Sequence, residues 1–148
     1  MEIAQRLQQD MKEAMKKKDK FRLSVIRMIR SELQNQEINN SEVLSEEDII
    51  EILIKERKKR SDSLKEYQQA GKEDTVRDLE KEIDILDEYL PEQLSDEELE
   101  SIIKDAIDKV GAKSLKEMGQ VMKVVMPNVK GRADGKRVNN LVKQLLEN

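Results

Sequence analysis

A chain of 148 residues is long enough for one ordinary domain or two small ones, so length alone excludes little. Composition excludes more: 41% charged and 36% hydrophobic residues with five Gly and two Pro argue for long, solvent-laced helices and against sheets. With neither Cys nor His there is no disulfide framework, no thiolate chemistry, and neither the commonest general base nor the commonest transition-metal ligand. The formal net charge of -4 hides an asymmetry, since Lys plus Arg minus Asp plus Glu comes to +3 over 1–40, -7 over 41–90, -5 over 91–110 and +5 over 111–148. Such polarity can steer a polyanion onto one part of the molecule, or reflect complementary packing between the parts.

In chain order, Ile3, Leu7, Met11 and Met15 recur every four residues and predict a first amphipathic helix that breaks near Lys18 or Asp19. A second helix is expected from about Asp19 to Asn35, with Phe21, Val25, Met28, Ile29 and Leu33 on its core face. Lys20, Arg27 and Ser31 fall on its opposite side with Arg30 on the flank. That basic face reads as solvated surface or as a second contact for an anionic partner, and Arg22, on the apolar stripe, reads as one half of an ion pair with the acidic middle. Asn39-Asn40-Ser41 is a turn signal, and Ser45 with Asp48 opens a third, long helix that Gly71 ends. Val76, Leu79, Ile83, Leu86 and Leu90 then form a heptad seam, which predicts an antiparallel hairpin with Arg57 and Arg60 facing Glu80, Asp84 or Asp87 across it.

Tyr89-Leu90-Pro91 halts the hairpin, and the domain boundary is placed there: 1–91 as an N-terminal four-helix unit and 92–148 as a small three-helix domain, all-α throughout. In the second part, Ser95 with Glu98 opens a helix on Leu99, Ile103 and Ala106 that stops at Gly111. Ser114 with Glu117 opens another on Val121, Met122 and Val125 that is expected to stop at Pro127. The stretch Met126 to Arg137 turns irregular, glycine-containing and basic at once. Gly131 and Gly135 allow backbone angles that other residues resist. Asp134 is a plausible N-cap for a last helix on Val138, Leu141, Val142 and Leu145. Lys130, Arg132, Lys136 and Arg137 thus crowd a helix N-terminus, where free amides and the dipole favour phosphate. The competing reading is a solvated turn, and spacing alone favours that one.

No nucleotide-binding glycine loop, nucleophile elbow or metal-ligand spacing occurs, so the reading names no catalytic residue, no metal and no cofactor. Phe21, Tyr67 and Tyr89 are too few for a base-stacking platform, so RNA would be gripped through phosphates and shape. The charged N-terminus and the lack of any long apolar run indicate neither signal peptide nor membrane anchor, and the expected location is cytoplasmic.

The run Met118-Gly119-Gln120-Val121-Met122, then Met126-Pro127-Asn128-Val129-Lys130-Gly131-Arg132-Ala133-Asp134-Gly135-Lys136, then Val138-Asn139-Asn140-Leu141-Val142 resembles the tail motif of the GatB/YqeY family. Lys20 to Arg27, Ala70 to Asp74 and Glu88-Tyr89-Leu90-Pro91 are similar to its free-standing members, so the likeness spans essentially the whole chain. It implies a two-part helical protein whose C-terminal unit is similar to the tail of GatB, the amidotransferase subunit whose tail is implicated in holding tRNA. The kinase-like part of GatB and the amidase subunit have no counterpart here. The resemblance reverses the order of the two readings of the basic turn. The expected function is a non-catalytic accessory of tRNA metabolism, binding RNA through Lys130, Gly131, Arg132, Gly135, Lys136 and Arg137, aided by Arg27 and Arg30. Its expected partners are tRNA and an amidotransferase or other aminoacyl-tRNA-handling protein. An adaptor that binds such a protein without RNA is the alternative. A carbon-nitrogen ligase using glutamine as amido donor is a family-level association, ranked last for the isolated chain.

Overall fold

The computed structural model describes residues 2–147, and among them every regular element is helical. The chain forms two compact units that divide between Leu90 and Pro91. The first contains α1 (Ile3–Lys17), α2 (Lys20–Asn40), α3 (Glu46–Gln69) and α4 (Glu73–Asp87). The second contains α5 (Asp96–Val110), a single 3-10 turn (Leu115–Glu117), α6 (Met118–Val129) and α7 (Gly135–Glu147).

The break after α1 falls at Lys18, which adopts the left-handed conformation (φ 58°), and Asp19 then caps α2 by accepting from the Arg22 amide at 3.1 Å. Ala14 rather than Met15 ends the α1 core face, Met15 being 51% exposed. On α2 the buried set is Val25, Ile26, Ile29 and Leu33. Ile26 takes the place expected for Met28, whose sulfur instead lies 3.3 Å from Arg60 Nη2. α2 also runs five residues past the expected end, because nothing from Gln36 onward breaks a helix until Ser41 turns left-handed (φ 55°). A Gln36–Glu32 hydrogen bond of 3.0 Å supports that last stretch.

The Ser45–Asp48 capping box forms with both reciprocal bonds, and the Glu46 carboxylate accepts from the Ile3 amide at 3.1 Å, tying the start of α3 to that of α1. Gly71 (φ 73°) reverses the chain into α4. Arg57 meets Asp87 across the hairpin in a two-pronged pair of 2.6 and 3.3 Å. Arg60 instead turns to Glu56 on its own helix at 2.9 Å, with Glu82 of α4 3.9 Å from its Nε. The hairpin core is one-sided: Leu53, Ile85 and Leu86 are buried, whereas no side chain from 61 to 84 is.

In the second unit Ser95 Oγ accepts from the Glu98 amide at 3.1 Å and Gly111 (φ 74°) ends α5. The box expected at Ser114 does not form, because the Glu117 carboxylate accepts from the Lys113 amide at 2.7 Å and the segment becomes a 3-10 turn. α6 does not stop at Pro127 but passes through it to Val129. A proline inside a helix costs about 3 kcal/mol. Val121, Val125 and Val129 form one fully buried stripe, and full burial of a Val contributes about 1.5–3 kcal/mol, so holding Val129 in register offsets much of that cost. The Asn128 side chain donates to the Val124 carbonyl at 3.3 Å and the Lys130 amide to the Met126 carbonyl at 2.9 Å, which closes the last turn. Leu99, Ile103, Val138 and Val142 complete this core, all without solvent exposure.

Candidate nucleic-acid interface

The turn between α6 and α7 is short because Val129, Ala133 and Val138 are all anchored in the core of the second unit. Gly131 supplies the reversal (φ 79°), and the amides of Arg132 and Ala133 return to the Val129 carbonyl at 2.8 and 3.2 Å. Asp134 caps α7, accepting from the Arg137 amide at 3.3 Å while its own carbonyl takes Val138 at 3.0 Å. Gly135 begins α7 and, unlike Gly131, does not need a positive φ; a Cβ placed on it would meet nothing within 4 Å. The expectation that Gly135 relieves backbone strain is therefore corrected: neither conformation nor packing inside the protein calls for a glycine there.

The turn is held by the segment that leads into α5. Gln93 Nε2 donates to the Gly131 carbonyl at 3.0 Å and the Leu94 amide to the Arg132 carbonyl at 2.9 Å. Both carbonyl oxygens, which would repel an anion, are thereby engaged within the protein. Arg137 closes the same joint: its Nη atoms reach the Leu94 carbonyl at 3.2 Å, and the guanidinium meets Asp96 Oδ1 at 2.5 and 3.0 Å. This arginine is therefore spent on holding the turn.

The remaining cations are placed differently. Arg132 gives only its Nε, to the Glu92 carbonyl at 3.3 Å, leaving the two terminal nitrogens of its fork. Lys136 is exposed and bonds to no acceptor among the described residues. The amides of Gly135 and Lys136 donate to no carbonyl among the described residues. Lys130 is exposed beside them, and further along α7 Asn140 and Lys143 are exposed one and two turns beyond Lys136, on the same side of the helix. Sequence reading did not single out Asn140 or Lys143; the helical spacing from Lys136 was the signal that could have found them.

Arg27 and Arg30 are not part of this turn. Both are exposed on α2 in the first unit, beside a groove against α1. Arg22 pairs with Glu88 at 2.7 Å, and that hydrogen bond raises its already high pKa further. The same end of α4 carries a network that sequence reading missed. Arg6 donates to the Glu88 carbonyl at 2.8 Å and lies 4.9 Å above the Tyr89 ring, while the Tyr89 hydroxyl donates to Asp10 in a short hydrogen bond. Burial and then that bond push the Tyr89 pKa well above its usual value. Glu88-Tyr89-Leu90 thus reads as an anchor for α4 against α1 and α2. No group of three or more Asp or Glu able to hold a metal occurs among the described residues, and no described helix is long and apolar enough to cross a membrane.

The family model described as Yqey-like protein matches residues 4–146. A curated relative, "Altered inheritance of mitochondria protein 41, mitochondrial" of Pyrenophora tritici-repentis (strain Pt-1C-BFP), is 29% identical over 147 residues, covering 97% of this chain and 81% of the relative. With its seven helices described and nearly every residue matched, the chain belongs to the YqeY family.

Proposed function

We propose that this protein is a non-catalytic accessory of tRNA metabolism that grips RNA phosphates with the α6–α7 turn and the exposed face of α7. The observation that carries the reading is the division of labour within the turn. Its carbonyls at Gly131 and Arg132 are engaged by Gln93 and Leu94, while the terminal nitrogens of Arg132, Lys136 and the Gly135 and Lys136 amides have no acceptor among the described residues. Unpartnered donors around a helix start suit a phosphate, and Lys143 one helix face further along suits the next one. The resemblance of residues 118–142 to the GatB tail supports tRNA as the RNA and an amidotransferase or other tRNA-handling enzyme as the neighbouring protein. We assign no ligase activity to the chain alone. We place it in the cytoplasm, whereas the fungal relative's name places that protein in mitochondria.

The test is binding of the purified protein to total tRNA at low and moderate salt beside the Arg132→Ala/Lys136→Ala variant. Salt-sensitive binding that weakens at least about tenfold in the folded variant supports the assignment. Equal affinity of the two proteins would sink it, and a tRNA-independent complex with an amidotransferase subunit would favour the adaptor reading.

A further inference from the structure

The nine arginines of the chain are not used alike. Arg22, Arg57, Arg60, Arg77 and Arg137 each meet a carboxylate, and Arg6 and Arg132 each meet a backbone carbonyl. Among the described residues Arg27 meets no acceptor, and Arg30 reaches only the Met11 sulfur, at 2.9 Å. In a chain with 32 Asp and Glu, two neighbouring arginines without an oxygen partner stand out. Both line one open groove of about 630 Å³ between α1, α2 and the start of α3. Its base rests on the buried Leu7, Leu33 and Ile49, and the apolar side chains that reach its surface are the half-buried Met11 and Leu44, beside Gln8, Ser31 and Gln34. At the far end Glu37 is occupied by the Leu44 amide at 3.4 Å, so the groove offers net positive charge at the Arg27/Arg30 end alone.

We infer that this groove docks an acidic amphipathic helix of a partner protein, with apolar side chains on the floor and carboxylates on Arg27 and Arg30. The dimensions agree, since α1 rises roughly 10 Å between Ala4 and Met11, the length of about two turns of a seated helix. Charge complementarity fixes the direction, because a carboxylate-bearing turn has its two forks at one end only. Met11 gives the floor an adaptable side chain. A protein helix suits this surface better than single-stranded RNA, since no aromatic side chain on which a base could stack lines the groove. The inference is independent of the RNA grip on the second unit and assigns Arg27 and Arg30 to a protein rather than to nucleic acid.

The experiment pans a displayed library of random peptides of about twelve residues against the full chain, and measures the enriched peptides by fluorescence anisotropy. Two variants accompany it: Arg27→Glu/Arg30→Glu, and Ser31→Phe, which fills the groove without changing its charge. All three positions are exposed, so both variants fold, as circular dichroism melting verifies. The expected result is enrichment of peptides with apolar residues at helical spacing and Asp or Glu near one end. Each variant lowers their affinity at least about tenfold, and the Met11 methyl resonance shifts on binding. Enriched peptides without acidic residues, equal binding by the variants, or a Met11 resonance that does not move would overturn the inference. So would tRNA binding that Arg27→Glu/Arg30→Glu abolishes, which would return the pair to nucleic acid.

Discussion

In the first unit Arg22, Arg57 and Arg60 each meet a carboxylate, whereas in the basic turn of the second unit, among the described residues, Arg132 meets only a carbonyl and Lys136 no acceptor. The contrast does not come from a shortage of acid in the second unit, since α5 alone begins with Asp96, Glu97 and Glu98. It comes from which partner is used to hold the element in place. α4 is held by side-chain ion pairs and by the Tyr89 hydroxyl, so Arg22 and Arg57 are neutralised there. The turn is held by Gln93, by the Leu94 amide and by Arg137, so Arg132 and Lys136 are not needed to hold it. A basic residue is informative about a ligand only after the residues that position it have been separated from those it leaves over.

Substitutions in each unit separate what holds it from what it leaves exposed. The largest effect belongs to the two cores: Leu86→Ala and Leu99→Ala, both fully buried, should each cost about 2–5 kcal/mol. Hydrogen exchange should show protection lost in residues 2–90 for the first and in 91–147 for the second; loss across both units in either variant would contradict two separate cores. Next is Arg60→Ala, about 3 kcal/mol by urea unfolding, because Glu82 loses its cation and Glu56 keeps only Lys59 at 3.4 Å, both carboxylates being mostly buried. Arg60 Nε is itself buried without a hydrogen bond, so a milder loss would mean that the pair had gained little.

Tyr89→Phe should cost about 1.5–3 kcal/mol near neutral pH, as a buried hydroxyl bonded to a carboxylate is removed. The pH dependence has a definite sign. Tyr89 has a raised pKa in the folded state, so its contribution is present below the unfolded value of about 10 and is lost as pH rises beyond it. Tyr89→Phe should therefore flatten the alkaline fall of stability; an unchanged fall would place that titration elsewhere. Arg137→Ala should cost only about 1 kcal/mol, since its Asp96 partner is largely exposed, yet loosen the turn and weaken RNA binding without removing a phosphate contact. Gly135→Ala should leave stability within about 0.5 kcal/mol, and a clear drop in tRNA affinity would mark it as a place where RNA approaches the backbone.

Much of this arrangement was legible in the sequence. The Ser45–Asp48 box, the glycine stops at Gly71 and Gly111 and the Asp134 cap are local, and local chemistry is what sequence patterns record. Asp87 was one of three partners the hairpin allowed Arg57, and the charge asymmetry pointed Arg22 to the acidic middle without singling out Glu88. What was not legible depended on distance. Pro127 stays helical because Val129 is buried against residues of other helices, and Arg137 is committed because Leu94 and Asp96, 43 and 41 positions away, lie beside it. Ile26 replaces Met28 in the core for the same kind of reason: a helix wheel sets the face to within a residue, and the neighbouring helices set the rest.

Whether Arg132 and Lys136 hold phosphates is decided by the salt dependence of tRNA affinity. Log affinity against log salt should be steep for the native protein. For Arg132→Ala/Lys136→Ala the slope should be shallower by roughly 1.5, two contacts at about 0.7–0.9 each. An Arg57→Ala control should keep the native slope. An unchanged slope in the double variant, with the fold intact, would contradict the account.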